Sequence, residues 1–217
     1  LAGPVAVSGL LTAVLLGAPV ILVEHHGFPI VHLNLYFRVG PAFDPPGKEG
    51  LTALTNRVLI RGTRRRGRAE IEEAVEGLGS ELLTSTQLHA VGIGGTVLRR
   101  NLEAFLEILG EVLTQPAIAP EEVDKVRREM ASELEAARDD DATLARMWFR
   151  RLLFAKHPFG HGSSGTAESL AAITVEDVRA HYQRFYSRGN MVVGASGDVG
   201  EAELDREITA ARREEGR

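Results

Sequence analysis

The sequence predicts an α+β fold, and three observations carry that prediction. Strand-like stretches fall in adjacent pairs and helix-like stretches fall in runs, which favours α+β over a doubly wound parallel sheet. The 217 residues suffice for one substantial core, and no low-complexity linker or internal repeat divides them. Apolar residues at 44% and charged residues at 25% give the balance of a soluble globular chain.

Composition also excludes function classes. A net charge of -5 argues against general nucleic-acid binding, which needs a basic face to neutralise phosphates. The chain has no cysteine, which removes disulfides, thiolate metal sites and cysteine nucleophiles. It does not fix a compartment, and soluble cytoplasmic and periplasmic settings both stay open.

Leu1 to Val23 carries no charge, and such a length could serve as a membrane span or a signal-peptide core. No basic segment precedes it, and Gly3, Pro4, Gly9, Gly17 and Pro19 punctuate it. Residues 1–17 are therefore expected to be an N-terminal segment leading into a strand, not a membrane span. Val20 to Val23 and Ile30 to Val39 flank a polar turn and read as a hairpin or two neighbouring strands. After a proline-rich loop, Leu51, Leu54 and Val58 mark a helix over about Lys48 to Ile60, stopped by Gly62. A helix over about Ala69 to Leu78 precedes two strands, about Glu81 to Gln87 and His89 to Leu98. Gly92 to Gly95 in the second of these predicts a bulge or a close backbone approach.

Leu102, Phe105, Leu109 and Val112 mark a helix from Asn101 to Leu113. Pro120 suits the first turn of the next helix, with Glu121 and Glu122 at the positive end of its dipole. Val123, Val126, Met130, Leu134 and Ala137 form its apolar stripe. Ala142 to Phe154 reads as a helix rich in arginine and large apolar residues. Thr174 and Asp177 resemble a capping box that opens a helix with Val178, Tyr182 and Phe185. A last strand runs from Met191 to Ala195, followed by a charged tail, residues 201–217, expected to fray at Arg212 to Arg217.

Several short motifs then fall in a recognisable order. Arg38-Val39-Gly40, Asp44-Pro45-Pro46-Gly47-Lys48-Glu49-Gly50-Leu51 and Arg61-Gly62-Thr63 are followed by His157-Pro158-Phe159-Gly160, Gly165-Thr166 with Glu168-Ser169-Leu170, Tyr186, Asn190 and Gly197-Asp198. This order resembles the zinc-site domain of the inverzincin peptidases, the pitrilysin–insulinase family that includes the mitochondrial processing peptidase. The resemblance covers residues 18–200. It implies a mixed, mostly antiparallel sheet of about six strands with helices packed against it. It also implies a second family domain that is absent from this chain.

The family's zinc motif is His-x-x-Glu-His, in which two His one helical turn apart bind the metal and the Glu activates its water. Aligned on the landmarks, the two His positions are Ala53 and Arg57, and the Glu position is Asn56. The third-ligand position is Glu133, the one ligand type retained. Alanine has no ligand atom, asparagine is not a useful base, and arginine offers only donors. The resemblance thus implies a degenerate motif, no zinc in this chain and no catalytic residue. Glu133 and Arg57 are a candidate pair across the vacated site, and Arg57 is a possible substrate contact.

Other constellations have plainer readings. His25-His26 and His157/His161 lie in turns without a carboxylate at ligand spacing. Arg61, Arg64, Arg65, Arg66 and Arg68 read as a solvated loop, with an anionic-peptide or phosphate contact as the alternative. Gly162-Ser163-Ser164-Gly165 lacks the strand–turn–helix setting of a serine nucleophile. The expected function is a non-catalytic subunit or domain. It would form part of a peptide-binding chamber with a zinc-bearing homologous partner and an extended peptide substrate. An active zinc endopeptidase with unrecognised ligands and a purely architectural subunit are the alternatives.

Overall fold

A computed structural model describes residues 10–15, 18–155, 157–160 and 162–206. Its strands are β1 (Leu10–Leu15), β2 (Ala18–Glu24), β3 (Ile30–Phe37), β4 (Leu83–Thr86), β5 (Val91–Leu98) and β6 (Met191–Gly197). They form one six-stranded sheet in the order β1-β2-β6-β3-β5-β4. Every neighbouring pair is antiparallel except β2 with β6. The expected α+β fold with a mixed, mostly antiparallel sheet is therefore observed.

The alternation along β3 shows how the sheet meets its core. Val31, Leu33, Leu35 and Phe37 are buried, whereas Ile30, His32 and Tyr36 lie on the exposed face. Leu33 sits at the centre, opposite Ala195 on one side and Gly95 on the other. A side chain at Gly95 would meet the Glu81 carbonyl and the Phe105 ring. The β3–β5 register runs unbroken from Ile30↔Leu98 to Phe37↔Val91, so the glycine run is a close approach and not a bulge.

The helices include α1 (Leu51–Leu59), α2 (Arg68–Gly77), α3 (Leu102–Thr114), α4 (Pro120–Ala136), α5 (Asp141–Phe154), α6 (Ala167–Ala172) and α7 (Val175–Phe185). α1 is the central helix, packed against α4, α7, β4 and β5, with all its residues buried except Arg57. α4 turns Val123, Val126 and Met130 into the core, each fully buried. Burial of side chains of that kind stabilises a fold by roughly 1.5–3 kcal/mol each.

Loop chemistry fixes where α1 begins. The Asp44 carboxylate accepts hydrogen bonds from the Gly50 and Thr52 backbone N–H groups at 2.8 and 2.9 Å, acting as a cap from six residues upstream. Gly50 itself holds φ +100°, a region that disfavours side chains. Gly165, at φ +72°, lies so close to the Glu49 carbonyl that a Cβ there would sit 1.9 Å away. Ser169 Oγ donates to the same carbonyl at 2.7 Å. The Gly50 and Gly165 landmarks are thus two sides of one tight packing contact.

Several expectations are corrected. β2 and β3 do not pair, because β6 inserts between them; local patterning cannot identify a strand's partner across the chain. Residues 1–17 do not all lie outside the domain, since β1 pairs with β2 along the sheet edge. α6 was not anticipated; its Thr166 cap with Ser169 closes a capping box too short to leave an apolar period. The domain does not stop at residue 200. Val199 and Leu204 are buried, and residues 201–206 are helical, so part of the presumed charged tail belongs to the core. The fraying expected at Arg212 to Arg217 and the segment Leu1 to Gly9 lie outside the described residues. Among the described residues no helix is long and apolar enough to cross a membrane.

Candidate functional site

The site centres on the exposed edge of α1 where it meets α4. Arg57 Nη1 and Nη2 donate to Glu133 Oε1 and Oε2 at 2.7 and 2.9 Å, a bidentate pair. One turn along, Arg61 makes the same kind of contact with Glu129, at 3.3 and 2.6 Å. The partners run in opposite order along the chain, so α1, with the turn that follows it, runs antiparallel to α4 and is joined to it by two rungs.

Ala53 and Asn56 lie inward. Ala53 is buried in the core and Asn56 is fully buried. Asn56 Nδ2 donates to the Ser85 carbonyl at 2.9 Å and to the Gly92 carbonyl at 3.4 Å, and Tyr186 Oη donates to Asn56 Oδ1 at 3.3 Å. Asn56 therefore ties α1 to β4, β5 and the end of α7, using both ends of its amide. Of the three aligned motif positions only Arg57 is not buried, because a helix packed on the sheet exposes only its outer edge.

As a donor set these positions do not fit a zinc ion. Ala53 has no ligand atom, the Asn56 oxygen is held by Tyr186, and both Glu133 oxygens are taken by a permanent cation. Among the described residues, no three His, Asp or Glu side chains are grouped to hold a metal.

A buried polar chain lies behind α1. Thr52 Oγ1 donates to Asp44 Oδ1 at 2.5 Å and stands 3.1 Å from His181 Nε2. With its proton directed at Asp44, Thr52 is set to accept from the Nε2–H of a neutral His181. Burial, reinforced by the positive charge of Arg184, pushes the His181 pKa down to about 4. Burial likewise raises the Asp44 pKa from its ordinary value, against its hydrogen bonds from Thr52 and Gly50. Tyr186 is held well above its ordinary value by burial, then by Asp44.

The remaining candidates divide. Three of the five clustered arginines are paired, Arg61 with Glu129, Arg66 with Glu111 and Arg68 with Glu72, so the solvated-loop reading holds only for part of the run. An open hollow of about 310 Å³ lies among Arg61 to Arg68, but Glu121 and Glu122 line it too. His26 does have carboxylate neighbours, Asp198 at 2.7 Å and Glu24 at 3.8 Å. Asp198 comes from beyond β6, which sequence spacing does not reveal. His161 lies outside the described residues. Sequence reasoning also missed Glu129 and the Tyr186–Asn56 bond; only the placement of Tyr186 among the landmarks pointed to the latter.

These landmarks have counterparts in known proteins. The chain belongs to the insulinase family, peptidase family M16, whose profile matches residues 20–166. It is 26% identical over 183 residues to an uncharacterized zinc protease of Streptomyces coelicolor, covering 84% of this chain and 40% of that protein. It is also 26% identical over 181 residues to a protein of Helicobacter pylori named a non-peptidase homolog, covering 83% and 42%. The crystal structure of a peptidase M16 inactive domain from Pseudomonas fluorescens superposes with a TM-score of 0.87 at 24% identity. That match covers 94% of this chain and 50% of the other. The chain thus spans about half the length of the relatives it matches.

Proposed function

We propose that this chain is a non-catalytic, zinc-peptidase-like subunit or domain that forms one wall of a peptide-binding chamber, opposite a zinc-bearing homologous partner. The observation that carries the proposal is the bidentate Arg57–Glu133 pair. It puts a cation where the aligned family motif has a metal ligand, and it occupies the one ligand type retained. The Helicobacter pylori relative named a non-peptidase homolog and the Pseudomonas fluorescens inactive domain support the same reading.

In this reading the chain carries no zinc and no catalytic residue, and its residues bind and orient. β4 is the last strand of the sheet, and its free edge can take an extended peptide as a further strand. Asn56 holds β4 in place through the Ser85 carbonyl. Two guanidinium N–H groups of Arg57 are spent on Glu133, which leaves others for a peptide carbonyl or carboxylate.

Zinc titration of the wild type and two variants tests the site. A zinc site at 100 times its dissociation constant would stabilise the fold by roughly 2.7 kcal/mol. The wild type should show no such rise in thermal midpoint. Ala53→His with Arg57→His frees Glu133 and creates a three-ligand set, so this double variant should gain zinc-dependent stabilisation. Adding Glu133→Ala should remove it. One zinc per wild-type chain surviving dialysis would contradict the proposal. A folded double variant indifferent to zinc would show that Glu133 is not the third-ligand position.

A further inference from the structure

α5 is built like a core helix and placed like a surface one. None of its residues is buried: Trp148, Phe149, Leu152 and Leu153 are 57%, 66%, 78% and 61% exposed, and Met147 and Phe154 are exposed as well. Its principal packing contacts are the 3₁₀ turns at its two ends, Ala137–Asp139 and Pro158–Gly160. Phe154 rests edge-on against Phe159, which anchors only the C-terminal end.

At about 100° per residue, Met147, Trp148, Phe149, Leu152, Leu153 and Phe154 point to every side of the helix. A helix that is apolar all round is a buried helix. Cores of this density need partners on more than one side, which this domain does not provide. Arg146, Arg150 and Arg151 interleave with the apolar residues, and Arg151 stacks on the Trp148 ring. On a chain of net charge -5, α5 is thus a basic, apolar projection.

We infer that α5 is the docking element for a second domain of this same fold, inserted into an apolar groove on that domain with carboxylates at its rim. The inference rests on the partner reading above and adds the surface through which the partner is held. The relatives this chain matches are about twice its length, which supplies an occupant of the right kind and size. A second copy of this chain fits less well. A twofold contact would set Arg146, Arg150 and Arg151 against their own copies, with only Asp141 on the helix to answer them. A membrane surface also fits less well, because an interfacial helix needs one continuous polar face, and on α5 the exposed Met147 and Phe154 stand among Arg146, Arg150 and Arg151.

Trp148 is the chain's single tryptophan, so it reports on α5 alone. The full chain, labelled with 5-fluorotryptophan, is mixed with the zinc-bearing family homologue from the same organism. The fluorine resonance should shift on formation of a one-to-one complex, and Trp148 should become shielded from iodide. The triple variant Phe149→Glu/Leu152→Glu/Leu153→Glu changes only exposed positions. It should keep the wild-type circular dichroism and melting transition while binding at least roughly 100-fold more weakly. Arg68→Ala, at the start of α2, should bind as the wild type does.

A complex of undiminished affinity with the triple variant, and Trp148 still open to iodide, overturns this inference and leaves the partner reading standing. No complex with any variant overturns both. Dimers of the chain alone that the triple variant abolishes would assign α5 to a second copy. Binding to anionic lipid vesicles through Trp148, without the homologue, would assign it to a membrane. Either result contradicts the docking proposed here.

Discussion

Arg57 and Asn56 are adjacent in sequence and opposite in energetic role. The Arg57–Glu133 pair has good geometry but is partly solvated, Glu133 being about half exposed. Pairs of that kind contribute little, so Arg57→Ala should cost less than about 1 kcal/mol of stability. Asn56 is sealed, and its removal orphans the Ser85 carbonyl and the Tyr186 hydroxyl. Asn56→Ala should therefore cost roughly 2–4 kcal/mol. Urea denaturation of the two variants checks the order; comparable losses would mean that the ion pair is a structural strut. The pairing of Arg57 with Glu133 was legible in sequence because aligned motif positions converge on one site. The inward turn of Asn56 was not, since its partners come from strands about thirty residues away and from the end of α7.

At the scale of elements, the buried chain Asp44–Thr52–His181 joins the loop before α1 to α7 and makes the fold sensitive to acid. The folded pKa of His181, about 4, lies below its ordinary 6.5. Protons therefore bind the unfolded chain more readily between these values, and stability present above pH 6.5 is lost as the pH falls through 4. Asp44 works with the opposite sign, because its raised pKa favours the protonated form in the folded state. Comparison with His181→Gln cancels the Asp44 contribution, and the amide can still donate to Thr52. Between pH 7 and pH 4 the wild type should lose about 2–3 kcal/mol more than this variant. Parallel stability curves would show that His181 is not held neutral. Apart from α6 and residues 201–206, the helices were well foretold, because their apolar period of 3.6 is a local signal. α5 shows the limit of that rule. Its apolar residues fix the helix from about Ala142 to Phe154, but not which molecule buries it. Strand pairing was less legible: β6 enters between β2 and β3 from more than a hundred residues away, and β1 was hidden in an uncharged segment broken by Gly and Pro.

For the whole molecule, the proposed reading is that the family fold is retained while the aligned motif positions carry groups that hold it together. Asn56 cross-links helix and sheet, and Arg57 and Arg61 clip α1 to α4. The wall proposed here would offer β4 and α5 to other molecules. Peptide cross-linking at β4 separates a chamber wall from a purely architectural subunit. The central claim is tested most directly by peptide hydrolysis in zinc-buffered solution, measured for this chain alone, for its zinc-bearing homologue alone and for the two titrated together. The account predicts no hydrolysis by this chain alone and a saturable rise above the homologue's own rate that levels off at one chain per homologue. Hydrolysis by this chain alone, or a homologue whose rate is unmoved by its addition, would contradict it.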